Sequence, residues 1–430
     1  MKKIVIIFAF VYGIAQAQNT LSLQDVINIA LKNNFDIQLA KNNTEINKIY
    51  NDYGIAGGLP VVTGTGTDNE QVTTLNQKLS NGTTTNKTGV TSNALNASVN
   101  AGILLYNGMR VVTTKKRLEQ LELQSQQLLN AQIQNTIALV MTQYYEIVRQ
   151  QDYMKTIDAS ITASQQRLDI VKTRLDVGLA NNADLFQSQL DLNNLIQTKR
   201  SQQLVVDQAK TDLLASLNLK TDSAIAIADT IVVDKNLQLN AVIAGVQNNA
   251  QIIAADEQIE INRLIEKETA AQRYPSFRFN AGVNYGRSQS AAGFTLLNQS
   301  YGPFAGLSIT LPIYNGSVYK KQQQVASIDT RNAIIQKENL VKDNTTAAVK
   351  SFQAYENALS QLQTQQENYN LSKQLLDLVL QKFELRVATI IDVKQAQESF
   401  EQAGYLLVNL NFAAKASEIE LKRIMNTLTF

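Results

Sequence analysis

Between Met109 and Asn218 the sequence has no proline and a single glycine, Gly178; between Ser317 and Phe430 it again has no proline and a single glycine, Gly404. Proline and glycine are the strongest helix breakers, so each stretch predicts a very long helical region, and few folds accommodate two of them. Leu371, Leu375, Leu378 and Leu385 fall at 3-4 spacing, with Lys382 interrupting, as in a helix seam. A single helix from Gly108 to Gly178 would run roughly 105 Å at 1.5 Å per residue. The chain is therefore expected to turn back near Gly178 and "LANNAD", with Asn182 or Asp184 capping the return.

The four prolines, Pro60, Pro275, Pro303 and Pro312, all lie outside these stretches, around segments of different pattern. In "SFRFNAGVNYGRS" Phe277, Phe279, Ala281, Val283 and Tyr285 alternate with polar or small residues; "ALNASVNAGILLY" and "SYGPFAGLSITLP" alternate likewise. Period two over ~10–12 residues predicts strands with one apolar and one small polar face. "LPVVTGTGTDNEQV" is a weaker fourth strand. The segments "NQKLSNGTTTNKTG" and "QSAAGFTLLNQ" are expected as the exposed hairpin tips. Two readings stand: a soluble antiparallel sheet with one buried face, or membrane strands with lipid on the apolar side. Four strands cannot close a barrel, and an open edge in lipid leaves backbone groups unpaired at several kcal/mol each. On the second reading, three copies would supply twelve strands.

The chain repeats itself. "ALKNNFDIQLAKNNTEINK" (30–48) aligns with "GVQNNAQIIAADEQIEINR" (245–263), and Pro60 with Pro275, at an offset of 215. From Tyr106-Asn107-Gly108, which matches Tyr314-Asn315-Gly316, the offset is 208. Each Tyr-Asn-Gly ends an alternating run and precedes a long helix, so both are read as strand-to-helix corners, where Asn and Gly adopt turn conformations. The expected organisation is a signal peptide (1–17), then a first repeat (18–218) with a hairpin at about 59–106 and a helical hairpin at 108–218. A connector (219–236) leads to a second repeat (237–430) with a hairpin at about 275–314 and a helical hairpin at 316–430. The fold class is mostly α with a small β part.

Composition narrows function. The chain has no Cys and no His, which removes thiol chemistry, the commonest general base and the commonest transition-metal ligand. No cofactor or metal site is expected, and the chain is not expected to be an enzyme. A formal charge of +2 gives no sign of nucleic-acid binding. "MKKIVIIFAFVYGIAQAQ" has two lysines, a short apolar run and Ala15-Gln16-Ala17, the plan of a secretory leader. "GTGTDN" lacks the lysine and helix start of a phosphate loop.

Taken in order, these features resemble the TolC-like outer-membrane efflux protein family. The prolines of "GLPVV" and "RYPSFRF", the corners "LLYNGMR" and "LPIYNGSVYK", and the tips "RLDVGLANNADLFQSQ" and "KFELRVATIIDVKQAQ" carry the resemblance. It implies a homotrimer with a twelve-stranded barrel in outer-membrane lipid and an α-barrel in the periplasm. It also implies docking to a periplasmic adaptor and an inner-membrane pump for efflux or type I secretion. Gly178, Leu179, Asp184 and Leu185 would form one adaptor-contact tip and Val387, Asp392 and Val393 the other. Arg386 stands where the family has glycine. Arg174, Asp176 and Arg386 are candidates for a charged gate at the periplasmic end, though each exposed pair is worth only ~0–1 kcal/mol. The rival is a periplasmic adaptor or other coiled-coil protein with a soluble β domain.

Overall fold

The computed structural model describes residues 19–429; the expected signal peptide lies outside them. The elements, in order, are β1 (Asn19–Thr20), α1 (Leu23–Asn33), α2 (Phe35–Tyr50), β2 (Val61–Lys78), β3 (Thr84–Asn107), α3 (Arg110–Asp176) and α4 (Asn182–Ser216). There follow β4 (Ile225–Ala226), α5 (Leu239–Gly245), a 3₁₀ turn (Val246–Asn248), α6 (Ala250–Ala271), β5 (Ser276–Ser290), β6 (Leu297–Thr310), α7 (Val318–Glu384) and α8 (Ile390–Ile424). The proline-free stretches are the helical hairpins α3–α4 and α7–α8. Their helices have the same lengths in both copies, 67 and 35 residues.

The chain forms two compact units, each built from parts of both copies. One comprises residues up to 41, 129–250 and 340–430, the other 42–128 and 251–339. In the first unit, α1 begins with a capping box: Ser22 Oγ accepts from Asp25 N–H while Asp25 accepts from Ser22 N–H. Its Val26, Ile27 and Ala30 pack with Ile137, Tyr144, Leu213, Leu217 and Ile419 in a core shared by α3, α4 and α8. Burying each such side chain contributes about 1.5–3 kcal/mol. The repeated Asn-Asn pair acts here. Asn34 ends α1 with its N–H on Ala30 O and its Nδ2 on Ser216 O at 3.3 Å. Asn249 sends its N–H to Val246 O and its Nδ2 to Ile424 O at 3.0 Å. Each pair ties a helix break to the end of the long hairpin in its own copy.

The second unit holds a four-stranded antiparallel sheet in the order β2-β3-β5-β6. Beside it, Arg117 of α3 pairs with Glu268 of α6 at 2.8 Å, and Lys337 of α7 with Asp256 of α6 at 2.6 Å. The first hairpin is longer than its alternation suggested, with strands of 18 and 24 residues. Most of "NQKLSNGTTTNKTG" is strand, because Thr and Asn side chains on a two-stranded ribbon leave no apolar signal to read. The second hairpin ends at Thr310 rather than at Tyr314, since Pro312 has no N–H to continue a ladder. No helix among the described residues is long and apolar enough to cross a membrane.

Candidate functional site

The sheet has two unlike faces. Across the strands, register sets Ile103, Phe279 and Leu307 in one row, then Val62, Ala101, Ala281 and Ala305, then Val99, Val283 and Pro303. Aromatic rows bound these. Tyr106 and Phe277 are paired at one end, with ring centroids 5.7 Å apart, and Tyr285 faces Tyr301 at the other. One row farther on, the same face carries Asp68 and Arg287. From Phe277 to Tyr285 is eight steps, about 27 Å along the strand at 3.4 Å each. Tilted by about 40°, that covers about 21 Å, near the height of a membrane barrel's apolar band. Nothing among the described residues covers this face: Val62 is 66%, Val283 55%, Leu307 70% and Ile309 68% exposed.

The opposite face is polar. Its rows run Thr65, Ser98, Asn284, Gly302 and Thr67, Asn96, Gly286, Ser300. The Thr65 and Ser98 hydroxyls lie 2.8 Å apart, and Asn100 Nδ2 donates to Ser98 Oγ at 2.8 Å. The arrangement suits lipid on one side and water on the other.

Both long helices, α3 and α7, are entered through two consecutive left-handed residues, Gly108 and Met109 (φ 68° and 66°) and Gly316 and Ser317 (φ 67° and 65°). The second of each pair was not expected; no sequence rule marks Met or Ser for this conformation. Asn107 and Asn315 are not left-handed. Asn107 Oδ1 instead accepts from Val111 N–H, holding the first turn of α3. A Cβ on Gly108 would fall 2.7 Å from Tyr274 Cβ, whereas Gly316 stands in open space. The first corner therefore needs glycine twice over. Tyr314 is more exposed than Tyr106, at 84% against 37%.

The two tips share one turn. Gly178 N–H donates to Leu175 O and Leu179 N–H to Arg174 O; Arg386 N–H donates to Phe383 O and Val387 N–H to Lys382 O. Both are Schellman turns, with Gly178 at φ 75° and Arg386 at φ 64° in the left-handed position. Arginine thus takes the glycine's conformation and preserves the geometry. The return helices are capped by Asn181 and Thr389, not by Asn182, Asp184 or Asp392. The cap must be extended, and Asp184 and Asp392 already lie inside the helix, at its third residue. Thr389 and Asp392 form a capping box, with Thr389 N–H on Asp392 Oδ2 at 2.7 Å. Those hydrogen bonds hold the Asp392 carboxyl below its ordinary pKa.

Of the expected contact residues, Gly178, Leu179, Val387 and Asp392 are exposed and Asp184 is half-buried. Val393 is fully buried, and Leu185 packs against the same core of Phe383, Leu380 and Phe400. Val393 presents no surface to a partner, and Leu185 keeps only part of its side chain exposed. The exposed apolar neighbours are Phe186 and Ile391, at 64% and 71%. They were missed because a turn of helix has no marker for which face it buries. Arg174, Asp176 and Arg386 make no ion pair among the described residues. Arg174 caps the end of α7 by donating to Phe383 O, with its guanidinium 4.2 Å from the Phe383 ring centroid. Burial and the nearby Arg386 charge lower its pKa. The expected seam Leu371, Leu375, Leu378, Leu385 is exposed, and the chain's own core uses Leu376, Leu380 and Phe383.

Higher on the hairpin, Arg167 is wholly buried and donates from Nη2 to Asp191 at 2.8 Å. Its Nε and Nη1 have no partner among the described residues. Burial pulls its pKa down against the pull of Asp191. Lys394 reaches Asp191 from α8 at 3.5 Å, so Asp191 joins three helices.

A family model described as outer membrane efflux protein matches residues 26–219 and 245–427, one match on each copy of the unit. Outer membrane protein TolC of Vibrio cholerae is 22% identical over 79% of this chain and 78% of its own length. Outer membrane protein TolC of Escherichia coli is 21% identical over 79% and 71%. Two solved structures share the fold at low identity. The Campylobacter jejuni CmeC outer membrane channel gives a TM-score of 0.78 at 13% identity, covering 99% of this chain and 94% of its own. The Vibrio cholerae outer membrane protein VceC gives 0.76 at 16%, covering 94% and 96%.

Proposed function

The chain belongs to the outer membrane efflux protein family, and from that premise we propose that it is the exit duct of a tripartite efflux or type I secretion assembly. Three copies close a twelve-stranded barrel through the free edges of β2 and β6, and cargo passes along the polar face. The observation that carries this reading is the uncovered apolar face between two aromatic rows. An adaptor with a soluble β domain would bury that face; here lipid is the solvent that suits it. The unpaired edges demand sister copies, because lipid offers them no hydrogen bonds.

The duct is passive, and energy comes from an inner-membrane pump reached through a periplasmic adaptor. The adaptor contacts the tips through Gly178, Leu179 and Val387, extended by Phe186 and Ile391, whose exposed apolar side chains suit a helical partner. Residues 1–17 direct export. Asp176 and Arg386, exposed at the turns, are the gate pair that remains once Arg174 is engaged with Phe383.

Fractionation of cell envelopes, with the mass of the detergent-solubilised protein, tests the duct: outer-membrane recovery as a trimer is expected, and a soluble periplasmic monomer would end the proposal. For the tips, Leu179→Asp with Val387→Asp is expected to abolish export while the trimer persists. Undiminished export would put the adaptor elsewhere.

A further inference from the structure

The loop between β5 and β6 is not splayed outward. Ser290 N–H donates to Leu296 O at 3.0 Å, Ser290 Oγ to Ala292 O at 2.7 Å, and Ala291 N–H to Thr91 O at 2.9 Å. The two from Ser290 brace the loop on itself, and the third ties it to the first hairpin. Its side of the sheet can be read from the register. Thr73 pairs with Val90, and Leu75 with Lys87 after a bulge that adds one residue to β3. Thr73, Leu75, Gln77 and Val90 therefore share the polar face with Thr65 and Ser98. A Cβ on Gly293 would lie 3.5 Å from Gln77 Oε1 and 3.7 Å from Leu75 Cδ2, and Gly293 is left-handed at φ 116°. Val90 and Ala292 are both buried. The loop is laid over the polar face of the sheet, beyond the Tyr285–Tyr301 row.

There it carries two large apolar side chains that none of the described residues covers, Phe294 at 79% and Leu296 at 58% exposure. Lipid cannot cover them, because the apolar band is on the other face. We propose that Phe294 and Leu296 meet their counterparts from two further copies of this chain and form an apolar lid across the outer mouth of the duct. The occupant follows from continuity: the loop leads directly into β6, whose free edge already requires a second copy, and the polar faces of three copies look toward one axis. An apolar ring in a narrow water-filled pore closes it by dewetting, without an ionic lock. The lid rests on the trimeric reading above.

The chain has no cysteine, so single-cysteine variants report cleanly. Phe294→Cys, treated in outer-membrane vesicles with a short bis-maleimide, is expected to give a covalent dimer on a denaturing gel. The mass of the solubilised protein is measured alongside. A trimer without covalent dimer overturns the lid and leaves the duct standing; a monomer overturns the duct itself. A covalent product with a different protein also removes the lid. In a second measurement, Asn284→Cys on the polar face is labelled in whole cells by a bulky impermeant maleimide added outside. Adding Phe294→Ser and Leu296→Ser is expected to raise the labelling rate by about tenfold or more as the dewetted constriction fills with water. An unchanged rate in properly assembled protein would show that the loops close nothing.

Discussion

Two residues, Gly178 and Arg386, stand in the same left-handed position of the same turn, 208 residues apart. For arginine that conformation costs about 1–2 kcal/mol, which glycine avoids while losing about 0.5–1 kcal/mol of chain entropy. Arg386→Gly is therefore expected to stabilise the second tip by about 0.5–1 kcal/mol. Slower amide exchange at Val387, whose N–H closes the turn on Lys382 O, is the measurement; faster exchange would mean the guanidinium supports the turn. Asp392 adds a pH dependence. Its folded pKa lies below the ordinary 3.8, so its contribution is present above the unfolded value and lost as pH falls through the folded one. Exchange protection at the Thr389 amide should hold at pH 5 and decline below pH ~4. The first tip, capped by the neutral amide of Asn181, has no such carboxylate lock.

Among elements, the long hairpins are held together by close approaches that propensity does not favour. Gly404 sits within α8, where glycine costs about 1 kcal/mol relative to alanine. A Cβ there would lie 2.5 Å from Thr156 Cγ2 on α3. Tyr153 and Tyr405 stack edge-on at 5.1 Å beside it, and Arg149 donates to Asn409. Gly404→Ala is expected to destabilise by about 1–3 kcal/mol despite its better helix propensity. Thr156→Ala in the same chain should restore most of the loss, read by thermal unfolding; failure of the rescue would mean that the contact does not set the spacing. The clasp from Asn249 has a similar logic. Asn249→Ala leaves the Ile424 carbonyl without its side-chain donor at a cost of about 1–3 kcal/mol, read as a lowered melting temperature; an unchanged one would mean that the clasp contributes nothing.

As a whole molecule, the chain leaves large apolar surfaces bare. Leu371, Leu375 and Leu378 form a helical stripe on α7 with 62%, 47% and 48% exposure, and Phe186 and Leu190 lie bare on α4. With the uncovered sheet face, they are apolar surfaces of the size that mark interaction sites. Leu371→Glu with Leu375→Glu and Leu378→Glu is expected to leave the isolated chain's helices intact and to reduce the trimer fraction strongly, measured as mass in detergent. A full complement of trimer would remove that stripe from the interface.

The sequence by itself determined the duplication, the two long helical hairpins, the four strands with their faces, and the corners and tips. Each of these is written in local signals: proline and glycine spacing, period two, and a repeated motif. Only the tertiary structure decided which tip residues look outward. Val393 and Leu185 turn into the core while Ile391 and Phe186 stay out, because the direction of a helix face depends on neighbouring helices far away in sequence. It likewise decided that the leucine stripe of α7 is exposed, that Arg174 grips Phe383 rather than an acid, and that the β5–β6 loop lies on the polar face of the sheet. Contacts between segments hundreds of residues apart have no local code, so packing alone could assign them.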